Sequence, residues 1–392
     1  MMDNDAFEQL AIENVLQLIA IPGASRAEHD VAAFLVDRLR MAGVPETAVV
    51  FDNAHRKSGG GTIGNLIVKL PGTRRGVRRL LMAHMDTVPL AVGTTPRLDG
   101  EWIRSSDPHR ALGGDDRAGC AVLLTCLQTL LQHDLPRPPL TLVWTVQEEI
   151  GLRGARFLNT RKLGAPRLCF NFDGGAPEVV VTGATGDINM EIEITGIASH
   201  AGAHPEQGVS AAAIAGLAIA DLVQNGWHGL IEKGNRRGTS NIGVIRGGDA
   251  TNVVMPTLSL RAEARSHNAA FRRRIVREFH SAFRRAAESV RDVHGRCGSV
   301  AFEAETKYES FRLPKSEASV KLALAAVRRV GLEPSTRIAN GGLDANWMTA
   351  HGFPTVTIGC GQFDIHTVDE RLHVPSYLDA CRIALELATA SE

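Results

Sequence analysis

Cysteine is scarce in this 392-residue chain, and so is any imbalance of charge. The six cysteines, at 120, 126, 169, 297, 360 and 381, form no CxxC pair. That scatter argues against a disulfide framework and against a cysteine zinc site. Lys plus Arg and Asp plus Glu number 43 each, so there is no electrostatic reason to expect nucleic acid or an anionic membrane as partner. The local basic runs RRGVRR (74–79) and RRR (272–274) read as solvated faces. Long apolar runs are missing too. The most apolar stretch, VSAAAIAGLAIADLV at 209–223, falls short of the ~20 residues that span a bilayer and reads as a buried helix. The opening MMDNDAFEQL is acidic and then amphipathic, without the basic and apolar regions of a secretory signal. The expectation is a soluble, cytoplasmic protein.

What is present suffices for two packed cores: hydrophobic residues make up 44% of the chain, and its length exceeds that at which single cores stop growing. Up to about residue 180, helical patterns (AFEQLAIENVLQLIA, RAEHDVAAFLVDRLRMAG) alternate with short apolar strands (NLIVKL, RLLMAH, LTLVWTV, RLCFNF). This alternation predicts an α/β domain with a helix-covered, mostly parallel sheet. From about 184 the texture changes. DINMEIEITG alternates like a half-exposed strand, a helix follows, then two more strands and an Arg-rich helix at 269–292. That order predicts an inserted α+β domain of ferredoxin-like type. After SVAFEAETKY the first texture returns, so the expected division is 1–183 and 306–392 for one discontinuous domain, with 184–305 inserted.

In open α/β sheets ligands gather at the carboxyl ends of strands. RLLMAH ends in His84, with Asp86 two residues on, and on a strand positions two apart point the same way. An imidazole whose second nitrogen is held by a carboxylate is the usual form of a metal-ligating histidine. LTLVWTVQ runs into Glu148 and Glu149, RLCFNF ends in Asp173, PTVTIGCGQFDI leads to His366, and LGGDDRAG supplies Asp115 and Asp116 just before a helix. Any one of these has an ordinary explanation as a cap, turn or surface pair. Four strand ends carrying only His, Asp and Glu point to a metal site. Imidazole and carboxylate donors without thiolate favour zinc, with cobalt or manganese as substitutes. Two ions sharing a bridging carboxylate would use five such groups, and a two-metal site can activate water and polarise a carbonyl, which suggests amide hydrolysis.

The motifs HMDTVP, GGDDRAG, QEEIGLRGA, FNFDGG, SHAGAHPEQG, GGDATNVV, EARS, GGLDAN and GCGQFDIHTVDE, in this order, resemble those of the co-catalytic zinc exopeptidase family. That family includes peptidase T, the glutamate carboxypeptidases, the succinyl-diaminopimelate desuccinylases and the aminoacylases; the chain looks most similar to the peptidase T branch. The resemblance implies that His84 and Asp173 bind one zinc, Glu149 and His366 the other, and Asp115 bridges. It implies a cis Asp115–Asp116 bond, Asp86 orienting His84, and Glu148 as general base. It further implies that the insert is a lid and dimerisation domain whose His200 reaches the partner subunit's site to stabilise the oxyanion. Asn252 and Arg265 would bind the substrate backbone or carboxylate, and the loop holding Gly342 would line the pocket. Two departures stand out: Arg117 where lysine is commoner, and Leu343 where a small polar residue is frequent.

Aspartate at 173, where carboxypeptidase and desuccinylase relatives usually carry glutamate, favours an aminopeptidase. An arginine suited to bidentate carboxylate binding could hold a peptide's C-terminus. The combined expectation is a dinuclear zinc aminopeptidase acting on short peptides, tripeptides above all, as a homodimer. An N-acyl-amino-acid deacylase or a carboxypeptidase with the same machinery is the alternative. A non-catalytic metal-stabilised binding protein is the remote one, and Glu148 argues against it.

Overall fold

The computed structural model describes residues 4–391. They divide into two compact units: one of residues up to Gly183 with Arg312–Ala339 and Leu343 onward, the other of Ala184–Phe311 with Asn340–Gly342. The second unit thus runs past the expected limit of 305 and takes in Asn340 with the two glycines that open the GGLDAN loop.

The first unit is built on a nine-stranded sheet. At its centre lie four neighbours, Leu140–Thr145, Arg79–His84, Leu168–Phe172 and Thr355–Ile358, each parallel to the next. Their side chains are buried on both faces, as expected of strands that read as continuous apolar runs. Flanking strands are antiparallel: Leu66–Leu70 runs against Leu140–Thr145, and Val179–Ala184 against Thr355–Ile358. Ile67, Leu80, Met82, Val143 and Cys169 pack on one face with Leu158, Leu163 and Met348. The helix Gly114–Gln132 covers Arg79–His84 and is flanked by the helices Asn4–Ala20 and Val374–Thr389. A small four-stranded sheet that the sequence did not suggest joins Pro96–Asp99, Trp102–Ser105, Gln362–Phe363 and Arg371–His373. Its strands are too short for alternation to register.

The second unit has a five-stranded antiparallel sheet in the order Gly229–Lys233, Arg236–Gly247, Thr257–Ser266, Gly186–Thr195, Ser299–Tyr308. Leaving aside the short edge strand Gly229–Lys233, this is the ferredoxin-like order expected. Met190, Ile192 and Ile194 point into a core shared with the helices Ala211–Gln224 and Ala269–Ser289, while Glu191, Glu193 and Thr195 point out. Both helices start on side-chain caps, Ser210 accepting from the Ala213 N–H and Asn268 from the Phe271 N–H. The apolar stretch at 209–223 is not fully buried as expected. Its helix buries one face, and the other exposes Ala212, Ala213, Gly216, Leu217, Ala220 and Val223, with Leu217 51% and Val223 56% accessible. Helix on sheet covers one stripe only, and no other segment of the unit covers the second. Among the described residues, no helix is long and apolar enough to cross a membrane.

Arg117 has a role that explains one departure from the family pattern. Its buried guanidinium donates to the carbonyls of Leu18 (3.4 Å) and Gly23 (3.2 Å), tying the end of the first helix to the helix that carries Asp115. A planar fork reaches two acceptors at once, which an ammonium on a single stem does less well. Gly23 makes the room: a Cβ there would lie 2.5 Å from an Arg117 nitrogen and 2.8 Å from Val31. Gly23→Ala is therefore expected to destabilise the protein by about 1–3 kcal/mol through overpacking. Denaturant titration should show a smaller loss when the same change is made in an Arg117→Lys background.

Candidate active site

The four central strands bring the expected residues to one edge. His84 closes its strand, Glu148 and Glu149 follow Thr145, Asp173 follows Phe172, and His366 lies on the loop beyond Ile358. Asp115 enters from the start of the helix Gly114–Gln132, where it and Asp116 depart from helical geometry across a cis peptide bond.

Asp115 is the centre of the cluster. One carboxylate oxygen lies 3.2 Å from His84 Nε2 and the other 3.2 Å from His366 Nε2. Glu149 Oε1 stands 2.9 Å from the same His366 nitrogen. Two groups of donors result, His84 with Asp115 and Asp173, and Asp115 with Glu149 and His366, each with its donor atoms within 4.8 Å of one another. His84 Nδ1 faces the Asp86 carbonyl oxygen at 3.0 Å and the Asp86 carboxylate at 3.5 Å, so its nearer partner is backbone. The Asp86 carboxylate is also fixed by the Ser25 hydroxyl (2.6 Å) and by the N–H groups of Glu148 (2.9 Å) and Glu149 (3.2 Å). Asp86 thus holds the Glu148–Glu149 turn through its carboxylate and faces His84 chiefly through its backbone carbonyl. Asp116 turns away, accepting from the His84 and Gly119 N–H groups and from the Gln362 amide.

The electrostatics show what such a cluster requires. Burial pushes the Asp173 carboxyl up to about 8, with Asp115 adding to the shift. Burial likewise raises Glu148 well above the usual carboxylate range, against the pull of His84 and with the help of Glu149, Asp344 and Asp173. His366, hydrogen-bonded by Asp115 and Glu149, is pushed up to about 10. Burial disfavours charge on His84, but Asp115 and Asp86 outweigh it and raise the imidazole well above its ordinary value. Carboxylates so crowded and desolvated need positive charge. One shared carboxylate between two sets of oxygen and imidazole donors fits two divalent cations.

The remaining expected residues lie in the second unit. His200 and Asn252 are neighbours: His200 pairs with Val253 in an isolated bridge, and the Ala201 N–H donates to the Asn252 carbonyl at 2.9 Å. His200 Nδ1 accepts from the N–H groups of Gly202 (3.2 Å) and Ala203 (3.0 Å), which assigns the ring proton to Nε2 and leaves an exposed donor. Arg265 and Gly342 form another pair around Tyr308. A Cβ on Gly342 would strike the Tyr308 ring at 2.4 Å, and Tyr308 adds to the burial-opposing influences on Arg265. Arg265 is engaged bidentately by Glu263, at 3.0 and 2.9 Å. The two pairs do not converge. Thr257 begins the strand next to Asn252, and Arg265 stands eight residues on, roughly 26 Å at the rise of a β-strand. Arg265 is at the end where the chain enters and leaves the unit, opposite Asp187, and His200 and Asn252 are at the far end.

Sequence reading missed three buried groups. Glu370 accepts the N–H groups of Gly113 (2.8 Å) and Asp115 (3.0 Å), holding the bridging residue from behind. Gln362 ties Asp116, the Gly114 carbonyl and the Gly174 N–H together. Asp344 accepts from the Thr145 hydroxyl at 2.5 Å and is pushed up to about 6 by burial. The GGLDAN motif contained Asp344 and the GCGQFDIHTVDE motif both Gln362 and Glu370, but neither motif said what these side chains would hold.

Residues 80–390 match the sequence profile of Peptidase family M20/M25/M40. A tripeptidase from Staphylococcus aureus is 30% identical with a TM-score of 0.87, covering 97% of this chain and 98% of its own. Aminopeptidase PepT from Bacillus cereus is 29% identical with a TM-score of 0.83 over the same shares. Protein YqjE of Bacillus subtilis is 29% identical over 381 residues, 97% of this chain and 98% of its own length.

With His366 pushed up to about 10, and His84 raised in the same direction by Asp115 and Asp86, the cluster without cations holds protons that cations must displace. Metal binding should therefore release protons, and affinity should rise with pH until the imidazoles deprotonate. Calorimetric titration in buffers of different ionisation enthalpy reads the proton count; a count of zero would contradict the arrangement.

Proposed function

The chain belongs to peptidase family M20/M25/M40, and from that premise we propose that it removes the N-terminal residue of short peptides, tripeptides above all. The observation that carries this reading is the pair of donor groups meeting at Asp115, with Glu148 and Asp86 beside them. His84 and Asp173 would hold one zinc ion, Glu149 and His366 the other, with Asp115 shared; cobalt or manganese could substitute. Such ions, when bound, polarise the scissile carbonyl and acidify water. Glu148 takes the proton from the attacking water and passes it to the leaving amine nitrogen. Its raised pKa is the direction that suits a group which must both take and return a proton. The Nε2–H of His200 is suited to donate to the oxyanion of the tetrahedral intermediate.

The distribution of the second-unit residues supports a homodimer. His200 and Asn252 stand at the opposite end of the sheet from Arg265 and Gly342, so one pair serves its own subunit's site and the other the partner's. The exposed apolar face of the helix Ala211–Gln224 is suited to pack against a second copy. The Arg265 guanidinium would anchor the peptide's C-terminal carboxylate in exchange with Glu263, which holds it here. The cytoplasmic location belongs to the same reading, supported by six cysteines that are all free.

Two experiments test these assignments. For a tripeptide, N-acetylation should abolish cleavage, C-amidation should weaken it, and the free N-terminal residue should be the first product. Rapid release of acetate or of the C-terminal residue would instead identify a deacylase or a carboxypeptidase. Glu148→Gln and His200→Ala should each lower turnover by ~10²-fold or more. Mixed with verified subunit exchange, the two variants should regain activity, because one kind of heterodimer site then has both groups intact. Exchanged but inactive mixtures would refute the shared site.

A further inference from the structure

Four consecutive backbone N–H groups follow the end of the strand Leu140–Thr145, and none has a strand partner. Side chains from three distant segments receive them. Asn65 Oδ1 accepts from Val146 at 3.1 Å, Glu28 Oε1 from Gln147 at 3.1 Å, and the two Asp86 oxygens from Glu148 and Glu149. The turn is otherwise closed by its own backbone, the N–H groups of Gly151 and Leu152 donating to the Glu148 carbonyl and that of Arg153 to the Gln147 carbonyl. Gln147 adopts a left-handed φ of 57°, a conformation uncommon for a side-chain-bearing residue, and its side chain is pinned by the Ser58 hydroxyl (2.8 Å) and the Gly60 carbonyl (2.9 Å). Glu28 itself is fully buried, and the same Oε1 also accepts the Arg26 N–H at 2.8 Å.

We propose that Glu28 is a positioning residue for the hydrolytic reaction: as the buried acceptor for the Gln147 N–H, it completes with Asp86 and Asn65 a clamp on the turn that aims Glu148 and Glu149. The inference rests on the proposed function for the role of Glu148. Glu28 stands one residue before the helix His29–Met41, yet its side chain makes no capping bond to that helix. Its Oε1 is spent on the 147 turn and on its own loop, while the buried Oε2 has no hydrogen-bond partner. It is closed off from the solvent surface, so withdrawing Oε1 takes the acceptor from the buried Gln147 N–H. A turn that relaxes by about 1 Å displaces the base and a donor of the second group together, and misplacement on that scale can lower turnover by ~10²-fold.

The deciding experiment sets acceptor position against charge. Glu28→Gln keeps an oxygen where Oε1 stands and loses the charge; Glu28→Asp keeps the charge and withdraws the oxygen by about 1.5 Å, one carbon–carbon bond. Measured on the metal-replete enzyme with a tripeptide, E28D should lower kcat at least ~10-fold with little change in KM, whereas E28Q should restore most of that loss. An E28D enzyme as fast as the parent, or an E28Q enzyme as slow as E28D, would overturn the proposal. Amide hydrogen exchange on the unaltered protein gives a readout independent of variant folding and of substrate. The Gln147 N–H should exchange only through extensive unfolding, and exchange at the rate of an open surface loop would also overturn it. A parent enzyme that cleaves no peptide would instead refute the proposed function, leaving the exchange result to judge the clamp.

Discussion

Asp115 stands between two imidazoles, 3.2 Å from each, in a region where several other carboxylates are buried within reach. Charge of one sign concentrated out of water is unstable by itself. It persists here because three of these residues are held in place: Asp115 through its own backbone N–H, which donates to Glu370, Asp86 by two N–H groups and a hydroxyl, Asp116 by two N–H groups and the Gln362 amide. These bonds set where negative charge can be held, and the two imidazoles set where a proton or a cation can answer it. The sheet, the kinked start of the helix Gly114–Gln132 and the loop around His366 serve that arrangement.

The parallel centre of the sheet is what makes the crowding possible. Four strands running the same way end at one edge, so every residue just past a strand end projects into the same volume. An antiparallel sheet would send alternate strand ends to opposite edges. In the second unit the sheet is antiparallel, and its interesting residues are accordingly parted, His200 and Asn252 at one end and Arg265 and Gly342 at the other. A single chain thus carries one unit that gathers groups and one that separates them. The second arrangement is what supports the proposed homodimer.

Much of this was legible from the residues in order. Apolar runs of five or six residues ending in His84, Asp173 or the Glu148–Glu149 pair announced both the buried strands and the chemistry at their ends. The alternation in DINMEIEITG announced the half-exposed sheet of the second unit. Periodicity and strand-end chemistry are local properties, set by which face a side chain takes and by what can be buried without a partner. They leave their mark in the sequence whatever the tertiary arrangement.

Other features left no such mark. Glu28, Asn65, Gln362 and Glu370 look like helix-flanking or loop polar residues, and only tertiary structure shows that each satisfies backbone N–H groups or carboxylates far away in sequence. The helix Ala211–Gln224 read as buried because it is apolar all round, yet the fold of one chain covers half of it. Sequence determined which residues must leave water and with what periodicity. Long-range closure of the chain decided which buried polar group meets which, because a hydrogen bond depends on a distance of about 3 Å that no local pattern encodes.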